Sequence, residues 1–200
     1  MRLKNGVAYL VFRDFSIKML GKKEGSRLYE KAEKARAELA SRIRIETPDA
    51  YLNTLGGALA LAADGIWDGQ VWLHGAVGCR MPLSGWRAAY TGDALGWHDR
   101  ARTHFDAYAA SQVTEVPNTI PHPAQDSVLN LARSEKRWGT PQYSNGYICR
   151  NPRNNTQMHH YDMNLCYIDE LLWHFNWTGD LEYARQMWPV LVRHLAWEKL

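Results

Sequence analysis

Cysteine is scarce in this chain of 200 residues, and the three present, Cys79, Cys149 and Cys166, are far apart and odd in number. They form no CxxC pair and no metal-ligand framework, so each reads as a buried or half-buried thiol. Long hydrophobic runs are missing too. No stretch approaches the ~18 apolar residues of a membrane span. Neither charge sign dominates: 24 basic against 21 acidic residues leave a net charge of +3. That balance gives no argument for a nucleic-acid partner. The first residues, "MRLKNGVAYLVFRDF", have too short an apolar run for a signal peptide, broken by Arg13 and Asp14. A periplasmic or secreted parent protein would carry its signal outside this chain. There is no HExxH, no Gly-rich phosphate loop after a strand, and no nucleophile elbow around Ser84, so neither a metal nor another cofactor is expected.

What is abundant is aromatic. Trp, Tyr and Phe make up 12% of the chain, a share that serves either a heavy core or a cleft in which sugar rings stack on indoles. Around these residues the periodicity is mostly helical. "VAYLVF" and "DFSI" read as one or two strands between Val7 and Ile17, followed by a linker at Gly21–Gly25. Lys31–Arg44 carries helical spacing. "TPDAYLNTLGGALALAA" announces another helix, with Thr47 as cap, Pro48 in the first position and Tyr51, Leu55, Leu59 and Ala62 as its stripe. Gly56 and Gly57 would admit a closely approaching helix. From Asp93 a helix runs with Trp97, Ala101, Phe105 and Tyr108 on one face, and a short helix is expected over Asp126–Lys136. "YDMNLCYIDELLWHFNW" is helical with Leu165, Ile168, Leu172 and Phe175 as its stripe. After the "TGD" turn, Asp180 caps a last helix that Pro189 should kink. Short turns thus alternate with long loops, Asp64–Arg87 and 137–157, that are rich in Gly, Trp, Tyr and Asn. Long loops in a helical domain are usually functional.

Two stretches resemble a known family. "FNWTGDLEYARQMWPVLVRHLAWEK" resembles the helix turn of the six-hairpin glycosidases, and "CRMPLSGWRAAYTGDALGWHDRARTHFDAY" resembles a segment of their α-L-rhamnosidase-like members. The resemblance covers Thr47 to Leu200. It implies an all-α fold: part of an (α/α)6 toroid of helical hairpins over 24–200, with a short possible β segment and linker at 1–23. It also implies an inverting glycoside hydrolase acting on an oligo- or polysaccharide, with the rest of the catalytic domain, including the second carboxylate, beyond Leu200. The acidic residues that rhamnosidases carry before their Gly-Trp are replaced here by "RMPLS", so no acid transfers to that position.

Glycoside hydrolysis generally needs two carboxyl groups, one of which protonates the leaving oxygen. In a toroid these lie where helices meet long loops. Asp162, in the first turn of its helix beside His159, His160 and Tyr161, is the leading acid; the helix dipole favours its charged form, so burial would have to preserve its proton. Asp68, between Trp67 and Trp72, is the second catalytic candidate, with an Asp-Gly turn as its structural alternative. Asp64 reads as a turn, Asp93 and Asp180 as caps, and Asp169 as a residue that could share a face with Asp162. The substrate-binding candidates are Trp67, Trp72, His74, Trp86, Arg87, Tyr143, Asn145, His159, His160, Tyr161 and Asn164, with Tyr147 as a further stacking ring. Trp97, Trp173, Trp177, Trp188 and Trp197 read as core. Adjacent histidines diverge on a helix, which disfavours His159 and His160 as joint metal ligands.

Two alternatives stay open. One is a polysaccharide lyase, with Tyr161 and a histidine as base and acid and Asn145 or Asn164 against a uronate. The other is a non-catalytic glycan-binding helical protein.

Overall fold

The computed structural model describes residues 7–13, 15–85, 88–114, 145–153 and 162–198, with Arg13 and Asp162 described by backbone alone. Two short strands open the chain, β1 (Tyr9–Arg13) and β2 (Ser16–Leu20), paired antiparallel from Tyr9↔Leu20 to Arg13↔Ser16. Phe15, in the turn that leads into β2, has φ 60°, a conformation that β-branched or bulky residues rarely adopt. Six helices follow among the described residues: α1 (Lys22–Ala40), α2 (Ala50–Gly65), α3 (Tyr90–Ala94), α4 (His98–Ala109), α5 (Asp162–Thr178) and α6 (Leu181–Trp197). The chain is thus mainly helical with a small N-terminal sheet, as expected. It divides into two compact units, Met1–Leu61 and Ala62–Leu200, with the division inside α2. The expected short helix over Asp126–Lys136 lies outside the described residues.

In the first unit, the expected linker at Gly21–Gly25 is helical: α1 begins at Lys22, well before Lys31. Gly25 is buried against the Tyr9 ring, where any larger side chain would collide. The expected cap of α2 is displaced by two residues. Asp49 accepts from the Tyr51 N–H at 2.8 Å, while Thr47 instead exchanges hydrogen bonds with Asn53. The stripe of α2 is also corrected. Tyr51, Leu55 and Leu59 are exposed, and the helix buries its small side, Gly56 and Ala60. Gly56 allows the carbonyl of Ile43, in the α1–α2 connection, to approach, and Gly57 lies against Ala40, the last residue of α1, so the expected helix approaches only by its end.

The second unit is built on aromatic packing. Trp72, Phe105, Tyr108, Tyr167 and Tyr183 are fully buried. Phe105 meets Tyr167 edge-on at 5.7 Å, and His104 lies 4.9 Å from Tyr108 and 5.8 Å from Trp72. Such ring pairs add about 0.5–1.5 kcal/mol each beyond area burial. The expected face Trp97, Ala101, Phe105, Tyr108 is buried throughout, but the single helix from Asp93 is two. Gly96, at φ 71°, turns the chain between α3 and α4. The α5–α6 hairpin forms as expected: Gly179 at φ 63° makes the turn, and Asp180 caps α6 by accepting from the Tyr183 N–H at 2.9 Å. α6 continues through Pro189.

The stripe of α5 is rotated from expectation. Leu165 and Leu172 are exposed, whereas Met163, Asn164, Tyr167, Ile168, Leu171 and His174 are buried. Three tryptophans expected in the core, Trp173, Trp177 and Trp188, are more than half exposed, at 51%, 56% and 63%. Trp97 and Trp197 are buried as expected, the latter against Val113, Tyr147 and Cys149.

Candidate functional site

The first turns of α5 are a meeting point for two long loops. In the Trp67–Pro82 loop, the Asp68 carboxylate accepts through Oδ1 from the N–H groups of Gln70 and Val71, both at 2.9 Å. Its other oxygen takes Nη2 of Arg153 at 2.8 Å, tying this loop to the segment that leads toward α5. Burial alone would raise the Asp68 carboxyl, but the Val71 N–H, the Arg153 guanidinium and the Gln70 N–H together hold it below its ordinary range. Asp68 is therefore a charged clamp between two loops, with both oxygens engaged, in an arrangement that opposes proton donation. From the same segment, the Ile148 N–H donates to Asn164 Oδ1 at 2.5 Å. Gly85 lies directly on the α5 backbone at Met163 and Tyr167.

These contacts decide what several expected residues can do. Trp72 is wholly buried, packed 4.7 Å from Trp67 and close to His104, and has no face for a sugar. Asn164 and Tyr147 are buried as well and serve packing rather than contact with a ligand. The loops fold down on the helices: they place the Trp72 and Tyr147 rings in the core and cover Asn164 on α5. Trp67 is half-buried, with the Arg100 guanidinium 5.6 Å above its ring; that arginine also pairs with Asp64 at 2.8 Å. His74 is half-buried and Asn145 exposed in a turn. Asp169 on α5 accepts from the Tyr90 hydroxyl. Asp162 opens α5 at the loop end, but its side chain, like Trp86, Arg87, Tyr143, His159, His160 and Tyr161, lies outside the described residues.

A second cluster sits at the other end of α5. Asp93, expected as a cap, is buried at 3% exposure. Its carboxylate accepts from Nδ1 of His98 at 2.7 Å and from Nδ1 of His174 at 2.9 and 3.0 Å. An ionised carboxylate only accepts, which fixes both Nδ1 atoms as donors in this arrangement. The His174 ring is held by Phe105 at 5.3 Å and by Tyr183, edge-on, at 5.6 Å. His98 and His174 also line a cavity of about 340 Å³, with Asp99, Arg102, Trp177, Thr178 and Asp180. Arg102 reaches Asp180 at 3.4 Å and lies over the Tyr183 ring at 4.2 Å. His98 and His174 were not among the expected site residues. The available signal was a histidine five residues after an aspartate, across a glycine, and that spacing matches no helical ligand pattern.

No protein-family model, curated protein or solved structure matches this chain.

Proposed function

We propose that the chain is part of a glycoside hydrolase of helical-hairpin type, in which Asp162 is the general acid for cleavage of a glycosidic bond with inversion. The observation that carries this reading is the order of the loop end. Two long connections are clamped to one another through Asp68 and Arg153 and to α5 through Ile148 and Asn164, beside the turn where Asp162 begins its helix. A catalytic carboxyl needs such support, because a misplacement of about 1 Å can cost a hundredfold in rate. Asp68 contributes here as a positioning residue. The exposed apolar side of the α5–α6 hairpin, with Leu165, Leu172, Trp173, Trp188 and Val192, is also what further hairpins of a toroid would cover. Among the described residues no helix is long and apolar enough to cross a membrane.

In this mechanism the acid protonates the glycosidic oxygen while a carboxylate on the opposite face activates water. The test is Asp162→Asn in the complete protein, followed as release of reducing sugar from a panel of oligosaccharides. Turnover should fall by roughly 10²–10⁴-fold, the usual contribution of a positioned acid. Near-normal turnover in the variant would remove Asp162 from the role. A product absorbing in the ultraviolet, formed without hydrolysis, would assign elimination instead.

A further inference from the structure

We propose that Asp93, His98 and His174 form a binding site for a divalent transition metal, with Zn²⁺ as the fitting class of ion. The proposal does not depend on the hydrolase reading and concerns the opposite end of α5.

Three donors of mixed type, one carboxylate and two imidazoles, converge within 4.8 Å of one another. The two Nδ1 atoms stand 2.7 and 2.9 Å from the same carboxylate oxygen. Tetrahedral ligands at bond lengths of about 2.0–2.1 Å around zinc lie about 3.3 Å apart, so each imidazole needs to draw back from the carboxylate oxygen by only about half an ångström to admit an ion. Imidazole and carboxylate together suit zinc and its neighbours in the first transition row. Ion binding replaces each Nδ1–H donor by the Nδ1 lone pair and moves the ring proton to Nε2. The Asp93 charge, which two hydrogen bonds offset in the absence of an ion, is then offset by the cation.

The surroundings favour a site with an open position. Asp93 and His174 are buried and fixed, His174 by the rings of Phe105 and Tyr183, which gives two ligands a rigid seat. His98 is half-exposed, and both histidines border the 340 Å³ cavity. An ion held by three protein ligands therefore keeps a coordination position toward that cavity, where water or an oxygen of a small ligand can bind, as in open zinc sites.

The experiment titrates Co²⁺, the spectroscopic stand-in for zinc, into the metal-stripped full chain and follows its visible absorption. One equivalent should saturate, and Zn²⁺ should erase the band. His98→Gln retains a hydrogen-bond donor toward Asp93 but removes the imidazole, and should weaken binding about a hundredfold or more, the upper end of what outer-shell partners alone cost. Asp93→Asn should do the same, with circular dichroism confirming that each variant is folded. A double alanine variant at His159 and His160 should bind as the parent does. The proposal is overturned if no saturable band forms, if His98→Gln binds unchanged, or if the band disappears with the His159–His160 pair instead.

Discussion

His104 shows how much a single buried side chain can decide. Its Nδ1 accepts from the Trp72 backbone N–H at 3.1 Å, which assigns the remaining proton to Nε2 and keeps the ring neutral. Burial pushes its pKa down to about 3, against weaker upward pulls from the Ser84 backbone and Asp68. In the unfolded chain the imidazole takes up a proton near pH ~6.5. Between these values the unfolded state binds more protons, so stability rises with pH across the window and is lost as pH falls through it. The slope is about 1.4 kcal/mol per pH unit from this group. Urea midpoints measured from about pH 7 to pH 4 should fall steeply for the parent and less steeply for His104→Gln, which can still accept from Trp72 but does not titrate. Equal slopes would show that other groups govern acid sensitivity. The sequence marks His104 only as one polar residue beside the apolar face of α4. Its partner is 32 residues away, and no local pattern encodes that pairing.

At the scale of elements, glycines separate contact from permissiveness. Gly85 lies on the α5 backbone, so Gly85→Ala forces a loop and a helix apart. We expect a loss of about 3 kcal/mol, the upper range for overpacking. Gly65, the last residue of α2, faces open space within 4 Å. Gly65→Ala should be neutral or stabilising by about 0.5–1 kcal/mol. Guanidinium unfolding of both variants checks the contrast. These elements also mark where reading the sequence stops. The α4 face and the Gly179–Asp180 turn are legible, because local periodicity and turn chemistry determine them. The stripes of α2 and α5 are not. Each helix has apolar residues on more than one side, and its neighbours choose which side to bury. α5 turns Asn164 and His174 inward, where Ile148 donates to the Asn164 carbonyl and Asp93 accepts from His174, and leaves Leu165 and Leu172 outside.

Across the whole molecule, the aromatic residues divide between two uses that composition alone does not distinguish. Trp72, Tyr147 and Tyr167 are consumed by the core, whereas Trp173, Trp177 and Trp188 lie on the outer hairpin. Among the described residues expected to contact a ligand, Trp72, Tyr147 and Asn164 are lost to the core, because the loops collapse onto α4 and α5 instead of standing open. The cysteines give a direct reading of this organisation. Cys79 is exposed and should react with a maleimide in the native protein within minutes. Cys149 is buried, and burial pushes its thiol up to about 12, so it should react only after global unfolding. Labelling followed by mass spectrometry at increasing denaturant would test this; native-state labelling of Cys149 would mean that the cluster with Val113, Tyr147 and Trp197 opens on its own.

The break at Gly96 sets the phase between two short helices. In one continuous helix, Asp93 and His98 would be separated by about 140° around the axis and would face different neighbours. The turn of the chain at φ 71° brings them together on one carboxylate. At φ 71° the Gly96 position of the 95–97 connector therefore tolerates substitution far less than its exposure implies. A single insertion there would leave α3 and α4 individually intact yet carry His98 away from Asp93, abolishing the cluster without touching any of its members.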